Sequence, residues 1–286
     1  MTASISLITP SYSGDFASCQ LLCASIDRHV TGFDRHYLVV GDEDASLFAP
    51  LAGPRRQVVP HSALLPRFVS VGRWRGRRYW WRPEIGLPVY GWHLQQLRKL
   101  AMTLHQSQSR VMCIDSDNCF VRPVDFSALA HAEKTPLFWA PNDIDETKPA
   151  HLSWLQTAHA VLGLSPPTLP GPDYIGQMIT WERESVATIL ARIEATTGAK
   201  WWASLCRRRQ FSEYLLYGVA TAHDPALAAR HALTKKSLCR THWDSTPLTR
   251  EDLGAFIAGM TEDQVAIAIQ SHSGTPIELI RAAALA

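Results

Sequence analysis

Short apolar runs alternate with amphipathic stretches over the first 115 residues of the chain. The runs are long and apolar enough for buried strands at residues 5–8, 37–40 and 111–114, with a weaker strand beginning at 58–59. Apolar residues recur every three or four positions from Phe16 to Val30 and from Leu94 to Leu104, which predicts two helices. This alternation predicts an α/β fold with a mostly parallel central sheet sandwiched by helices.

The second half of the chain has a more mixed pattern. It predicts strands at residues 137–139, 177–181 and 266–269, and helices at residues 151–162, 186–193 and 211–222. No linker, repeat or low-complexity tract separates the two halves. We therefore expect a single domain over residues 1–286.

Composition narrows the classes of protein that this fold could serve. The 286 residues carry a net charge of +2, with 46% hydrophobic and 19% charged residues, which argues against disorder and against wrapping of nucleic acid. No apolar run reaches the length of a membrane span, and the first residues lack the pattern of a secretory signal. The six cysteines form no Cys-x-x-Cys pair, so we expect buried thiols in a reducing, cytoplasmic setting.

One segment departs from the near-even balance of basic and acidic residues in the chain. Residues 73–82 hold five arginines and four aromatic residues without a clean period, which predicts a surface loop or a short lid. Such a segment suits an anionic or sugar substrate, an anionic membrane surface or RNA, and it is also compatible with a solvated basic loop. Because the basic charge is confined to this segment, we do not expect sequence-specific recognition of nucleic acid. We do expect peripheral contact with the inner face of the membrane.

The strongest chemical signal is a pair of carboxylates directly after the strand at 111–114. Asp115 and Asp117 are two positions apart, so in extended backbone they project to the same side. A divalent cation relieves the repulsion between two such carboxylates, and hard oxygen ligands favour Mg²⁺ or Mn²⁺. A bound cation would in turn neutralise a diphosphate leaving group, although an ordinary acidic turn would have the same sequence.

The order of these features resembles the nucleotide-sugar-dependent glycosyltransferases of the GT-A fold. A first strand ends in Thr9-Pro10-Ser11-Tyr12, a second ends in acidic residues, and Asp-x-Asp follows a later buried strand. More narrowly, the chain looks like a poorly characterised bacterial family of glycosyltransferase-like proteins. The residues that carry this likeness are Gly91-Trp92-x-x-Gln95-Gln96-x-x-Lys99-Leu100, Cys113-Ile114-Asp115-Ser116-Asp117 and Gln270-Ser271-His272. The resemblance spans roughly residues 4 to 275.

The resemblance implies a metal-dependent hexosyltransferase of polysaccharide biosynthesis that moves a sugar from a nucleoside-diphosphate donor, most simply UDP-linked, to a glycan or lipid-linked acceptor. It divides the domain into a nucleotide-binding half, to about residue 120, and an acceptor-side half. It assigns the donor to the first loop, to an acidic residue after the second strand, and to one face of the helix before the Asp-x-Asp. In this sequence these are Thr9, Pro10, Ser11 and Tyr12, then Asp42 or Asp44, then Gln95 and Lys99, with Asp115.

The same resemblance implies the metal ligands Asp115 and Asp117, with a histidine from the last third of the chain, His242 or His272, as a further ligand of Mn²⁺ or Mg²⁺. An inverting transferase also needs a general base. Glu213 lies between aromatic residues that would desolvate it and raise its pKa, and Asp173 is the alternative. Stereochemistry itself is not fixed by the sequence.

Other classes of protein remain open at this stage. A nucleotidyltransferase shares the fold and the use of metal, but it usually begins with a Gly-rich basic loop, which residues 9–12 are not. A phosphatase of the haloacid-dehalogenase type places its Asp-x-Asp near the N-terminus, and a non-enzymatic binding module would use residues 73–82 as its contact surface.

Overall fold

The first half of the chain alternates strand and helix, as the apolar pattern predicts. The computed structural model describes residues 4–285. Its first elements are β1 (Ile5–Pro10), α1 (Phe16–His29), β2 (Val30–Thr31), β3 (Phe33–Val40), α2 (Ala45–Phe48), β4 (Arg56–Pro60), β5 (Val69–Trp74), β6 (Arg77–Trp81), β7 (Val89–Tyr90), α3 (Gly91–His105), β8 (Arg110–Cys113), β9 (Asn118–Phe120) and β10 (Val124–Asp125).

The second half contains shorter strands between helices. Its elements are α4 (Ser127–His131), β11 (Thr135–Phe138), β12 (Ala140–Ile144), α5 (Pro149–Val161), β13 (Gly171–Asp173), β14 (Ile179–Glu182), α6 (Arg183–Thr197), α7 (Trp201–Arg208), α8 (Glu213–His223), α9 (Pro225–Ala229), β15 (His231–Thr234), β16 (Cys239–His242), α10 (Arg250–Ala258), β17 (Ala266–Ile269) and α11 (Ile277–Ala284). All six elements predicted from the apolar pattern of this half are present, with ends shifted by at most four residues.

The central sheet has the strand order β14-β8-β1-β3-β4. Strands β8, β1, β3 and β4 run parallel, and β14 adds an antiparallel edge beside β8. The α/β prediction is therefore confirmed in its coarse form. Since β1 and β8 are adjacent and parallel, the segments that leave their carboxyl ends emerge side by side, which is where open α/β sheets bind ligands.

Alternate side chains of β1 divide the core between the two faces of this sheet. Ile8 belongs to the apolar cluster that contains Leu97 and Leu100 of α3. Ile5 and Leu7 face the opposite side and belong to a cluster with residues of α1. Because side chains alternate along a strand, these residues point to opposite faces of the sheet, where α3 covers one face and α1 the other. The five residues between β1 and α1 run along the carboxyl edge of the sheet.

Residues 73–82 do not form the predicted irregular loop. Residues 73–81 lie in an antiparallel hairpin, β5–β6, which pairs further with β7, and Arg82 follows it. Its turn is made by Arg75 and Gly76, both with positive φ, and its register shifts between Ser70 and Gly72. That irregularity and the run of arginines hide the two-residue period of a strand, which is why the sequence pattern missed it.

The six cysteines are buried as free thiols, as expected. No helix within residues 4–285 combines the length and the apolar content that crossing a membrane requires.

Candidate functional site

A cleft of about 830 Å³ opens at the carboxyl edge of the central sheet. Its floor is made by Pro10 at the end of β1 and by the turn 115–117 after β8. The first half of α3 and the N-terminus of α8 form one wall, and the start of α5 with the segment 173–177 forms another. Trp243, Gln270 and Ser271 close the remaining side. The cleft therefore joins both halves of the chain at the tip of the strand that carries the Asp-x-Asp.

Three carboxylates face one another in this cleft. Asp115 and Asp117 come from the turn after β8, and Asp15 comes from the short helical turn that precedes α1. Burial raises the pKa of Asp117 to about 7, and the charges of Asp115 and Asp15 add to this effect. Burial likewise raises the pKa of Asp15 to about 6 against a hydrogen bond from Ser116, and the charge of Asp115 contributes. The mutual repulsion expected from the sequence is thus present and includes a third carboxylate.

Lys99 uses its ammonium group to join three parts of the cleft. Its Nζ lies 2.7 Å from Oδ1 of Asp115 and donates hydrogen bonds to Oε1 of Glu213 and to the hydroxyl of Tyr214, each at 2.8 Å. Burial alone would lower the pKa of Lys99, but the charges of Asp115 and Glu213 raise it well above its ordinary value. All three ammonium hydrogens have partners, so the expected role of Lys99 as a separate point charge for a diphosphate does not fit this geometry.

Glu213 lies at the first position of α8 and lines the cleft, as a candidate base should. Its side chain is only 5% exposed, and its carboxylate is the partner of Lys99. Burial raises its pKa, while the bonded Lys99 opposes that rise. The backbone N–H of Glu213 donates to Oε1 of Gln96, a buried residue one turn before Lys99 on α3. These contacts fit an anchoring role for Glu213 better than the expected proton transfer.

Asp173, the alternative base, is bonded through both of its oxygens. Its Oδ2 accepts a hydrogen bond from Nδ1 of His151 at 2.6 Å, and its Oδ1 accepts one from the backbone N–H of Ile175 at 2.8 Å. The side chain of Asp173 is 7% exposed, whereas that of His151 is 32% exposed. Asp173 therefore lines the cleft, but both of its oxygens already have partners, and His151 is the more exposed member of the pair.

The residues expected to cradle the donor after β1 are split by the structure. Pro10 lines the cleft, but Thr9 is buried with its hydroxyl bonded to Nε2 of His36 on β3, 2.9 Å away. Ser11 is buried and donates its backbone N–H to Val39. Tyr12 is exposed, and its pKa is raised by partial burial and by the charge of nearby Asp15. Side chains of a parallel strand alternate between its two faces, so consecutive residues at its end cannot all reach one ligand.

The expected donor contact at Asp42 lies outside the cleft wall. Oδ1 of Asp42 accepts hydrogen bonds from the backbone N–H and the hydroxyl of Ser62. Its neighbour Asp44 turns the other way, and its Oδ2 accepts from the backbone N–H of Ser13 at 3.0 Å. Of the two acidic residues that the resemblance left open, Asp44 is therefore the one in contact with the loop after β1. Gln95 does line the cleft, as expected.

Neither candidate histidine lies in the cleft wall. Nε2 of His242 donates to the backbone carbonyl of Thr246, and Nε2 of His272 donates to that of Trp243. The neighbours Trp243 and Ser271 line the cleft in their place. Within residues 4–285 no three His, Cys, Asp or Glu side chains form a ready-made metal cage, so the expected histidine ligand does not join the aspartates.

The carboxylates alone nevertheless suit a hard divalent cation. Mg²⁺ typically takes one or two protein carboxylates and completes its shell with water and substrate phosphate oxygens rather than with a full protein cage. Burial, together with the charges of neighbouring carboxylates, raises the pKa of Asp117 and Asp15, and a cation bound beside them would compensate their negative charge. Asp115 and Asp117, with Asp15 beside them in the cleft, are the carboxylates at which such an ion would bind.

Several cleft residues were not singled out from the sequence. Asp15 follows the first loop by only three residues, and its acidic side chain was the available signal. Trp92 was quoted only as part of the motif that carries the resemblance, yet it precedes Gln95, Gln96 and Lys99 at helical spacing, so the period of α3 places it on the same face. His151 and Trp154 are three positions apart on α5, but their meeting with Asp173 depends on the pairing of β12 with β13 and had no local signal.

Together the fold and the cleft define a class: an α/β protein with clustered carboxylates at the carboxyl edge of a mainly parallel sheet. The chain belongs to a family of unknown function (DUF6492), whose sequence profile matches residues 2–270. A comparison with curated proteins finds no match.

The raised pKa values predict how stability depends on pH in the metal-free protein. The folded protein holds protons on Asp117 and Asp15 more tightly than the unfolded chain does, so the free energy of unfolding should fall as pH rises from about 4 to about 7. Asp117→Asn should remove the larger part of this fall and gain on the order of 3 kcal/mol over the wild type between pH 4 and pH 8, from ~1.4 kcal/mol per pKa unit.

Urea unfolding in EDTA at pH 4, 6 and 8 measures this difference. Asp263→Asn, which removes an exposed partner of Lys236, is the matched control and should leave the slope unchanged. Equal pH slopes for Asp117→Asn and the wild type would contradict the assignment.

The contacts of Lys99 predict a large stability loss on its removal. Lys99→Met should lower the free energy of unfolding by about 3–5 kcal/mol, because it strands Glu213 and Asp115 without their cation. Lys200→Met, which removes an exposed lysine from a 3.6 Å ion pair, should cost about 0–1 kcal/mol. Adding Glu213→Gln to Lys99→Met should recover part of the loss, since it removes one stranded charge. Denaturant titrations of the three variants test this, and a loss for Lys99→Met as small as that for Lys200→Met would refute it.

Proposed function

We propose that this protein is a GT-A-type glycosyltransferase that transfers a sugar from a nucleoside diphosphate, most simply UDP, to a glycan or lipid-linked acceptor, with Mn²⁺ or Mg²⁺ as its cofactor. The observation that carries the proposal is the group Asp15, Asp115 and Asp117 at the carboxyl edge of a parallel sheet, inside a cleft large enough for a nucleotide-sugar. The sequence resemblance, which rests in part on the same Asp115 and Asp117, supports the same proposal.

The charges of the cleft support a donor that arrives with a cation. A diphosphate carries negative charge, and the three aspartates would repel it unless that charge were compensated. A bound Mg²⁺ or Mn²⁺ would supply this compensation as a Lewis acid for the leaving diphosphate. The chain's own contribution would be to hold Asp115 in place through Lys99 and to line the donor side of the cleft with Pro10 and Gln95.

The two walls away from the sheet support an acceptor site. Trp92 on α3 and Trp154 on α5 lie with ring centroids 5.3 Å apart, and both line the cleft. Aromatic faces of this kind pack against the apolar face of a sugar ring while leaving its hydroxyl groups to polar neighbours. Such a platform has no obvious use in transfer of a nucleotidyl group to a phosphate.

The β5–β6 hairpin supports a membrane-linked acceptor. Its exposed apolar side chains Val71 and Trp74, together with Leu87, line one shallow groove that also holds Arg73 and Arg209. Trp74 is 61% exposed. Apolar side chains flanked by arginines are the composition that binds the interface of an anionic bilayer. The hairpin is also continuous with the cleft, because Tyr79 contacts Tyr90, which stacks on Trp92.

The donor assignment predicts that Asp117→Ala abolishes transfer and metal-dependent nucleotide binding. The carboxylate lies in a turn after β8 and supports no apolar core, so the fold should persist. Thermal shift with UDP, with and without Mn²⁺, measures binding, and release of UDP from UDP-glucose, UDP-galactose and UDP-N-acetylglucosamine measures turnover. Asp263→Asn serves as the control. Full activity of the wild type in excess EDTA, or normal Mn²⁺-dependent binding by Asp117→Ala, would overturn this assignment.

The hairpin predicts binding to anionic membranes. Replacing Arg73, Arg75 and Arg77 with alanine should weaken sedimentation with vesicles of phosphatidylglycerol and phosphatidylcholine by about tenfold or more, at about 1 kcal/mol for each arginine near the surface. Binding should weaken with added salt and be absent with phosphatidylcholine alone. Replacement of Arg250, an exposed arginine at the start of α10, is the control. Equal binding of wild type and triple variant would show that the hairpin does not contact the bilayer.

A further inference from the structure

The hydrogen bond between His151 and Asp173 sets the tautomer of a neutral imidazole at the cleft wall. Because the carboxylate Oδ2 of Asp173 accepts the hydrogen bond, Nδ1 of His151 must carry the proton. The second oxygen of Asp173 is held by the backbone N–H of Ile175, so the carboxylate cannot rotate freely. In the neutral imidazole, Nε2 is then a proton acceptor, and no hydrogen bond within residues 4–285 occupies it.

The surroundings of this imidazole are those of an acceptor site. His151 and Trp154 lie one turn apart on α5 with ring centroids separated by 5.1 Å, and Trp92 continues the row. All three line the cleft that contains the three aspartates. A sugar ring packed on Trp154 would therefore present its hydroxyl groups beside the exposed edge of His151.

Glu213 is less suited to the same task. Its carboxylate is 5% exposed and accepts a hydrogen bond from Lys99, whereas the side chain of His151 is 32% exposed. A general base must reach the acceptor hydroxyl and have a lone pair available for its proton. Of the two, only His151 meets both conditions in this structure.

We propose that His151 is the general base of the transfer and that Asp173 is a positioning residue, which holds His151 in the Nδ1–H tautomer. The acceptor is then a hydroxyl group of a sugar whose ring packs against Trp154. This inference rests on the proposed glycosyltransferase function. As the acceptor oxygen forms its bond to the anomeric carbon, its proton passes to Nε2 of His151. The bond from that carbon to the diphosphate oxygen breaks, and its electron pair leaves with the nucleoside diphosphate. The imidazolium then returns the proton to water, so the reaction is a single inverting displacement.

Hydrolysis of the donor tests the base without knowledge of the natural acceptor, because water then takes the acceptor's place. Release of UDP is measured with Mn²⁺ and the three UDP-sugars named above. His151→Gln should lower kcat by about 10²- to 10⁴-fold, while the affinity for UDP with Mn²⁺ and the melting temperature stay within error. His105→Gln, at the exposed end of α3, is the matched control and should retain wild-type kcat.

Chemical rescue separates lost chemistry from lost structure. In His151→Ala, free imidazole should raise the hydrolysis rate at least tenfold, and it should not do so in the wild type. Asp173→Asn should lower kcat in the wild-type background, because an amide facing Nδ1 favours the wrong tautomer. In the His151→Ala background, Asp173→Asn should lower kcat only slightly further, because Asp173 acts through the imidazole.

Transfer to 4-nitrophenyl glycosides tests the platform. Trp154→Ala should lower the ratio of transfer to hydrolysis at least fivefold, and Trp154→Phe should restore most of that ratio because it keeps an aromatic face. An unchanged ratio in Trp154→Ala would overturn the placement of the acceptor.

The outcomes distinguish a failure of the proposed glycosyltransferase function from a failure of the proposed general base. A wild-type protein that neither binds UDP with Mn²⁺ nor hydrolyses any of the three donors would overturn the glycosyltransferase proposal, and the base with it. A wild-type protein that does both, with His151→Gln within threefold of its kcat or His151→Ala insensitive to imidazole, would overturn the base alone. If Glu213→Gln loses kcat and His151→Gln does not, the general base is Glu213.

Discussion

The ammonium group of Lys99 is the contact on which the cleft depends. A buried cation is tolerated only with bonded anionic partners, and Lys99 finds them in Asp115 after β8 and Glu213 at the start of α8. Tyr214 takes the third hydrogen. One charge thereby fastens helix α3, the tip of the central sheet and the second half of the chain to one another. The positions of the candidate metal ligand and of the opposite wall are consequently coupled.

The distribution of charge over the molecule is strongly uneven despite a net charge of only +2. Among the described residues, the cleft wall carries the acidic side chains of Asp15, Asp115, Asp117, Asp143, Asp173 and Glu213, against Lys99 and Lys148. Lys148 is already bonded to Asp143 at 2.6 Å. An anionic donor would therefore meet a negative cleft, which is the reason that the proposed function includes a divalent cation.

The parts of this arrangement that follow from local sequence were predictable. The apolar runs that become β1, β3 and β8 are buried on both faces, so their strand character is plain, and the Asp-x-Asp is read directly at the end of β8. The helical period also places Gln95 and Lys99 on one face of α3. What that period cannot give is the number of partners a side chain finds. The resemblance implied that Lys99 is available to a phosphate, and its contacts with Glu213 and Asp115 could not be anticipated because neither residue is near it in sequence.

The same limit explains the remaining differences. Thr9 bonds to His36 because β1 and β3 pair in parallel, and His151 meets Asp173 because β12 and β13 pair; both contacts join segments more than 20 residues apart. The β5–β6 hairpin carries its arginines on both sides, so its alternation is invisible to an apolar pattern.

Two features missed from the sequence, the hairpin and the His151–Asp173 pair, lie at opposite ends of one row of aromatic rings. The contacts run from Trp74 through Tyr79, Tyr90, Trp92 and Trp154 to His151, with neighbouring centroids 5.1 to 6.3 Å apart. One end is exposed beside arginines, and the other lies in the negative cleft. A molecule with an anionic, membrane-anchored end and a sugar end would fit this row in only one direction, with its anionic end beside the arginines and its sugar in the cleft. The charge asymmetry thus orients the proposed acceptor with its sugar toward His151, and it does so before any contact specific to one sugar is made.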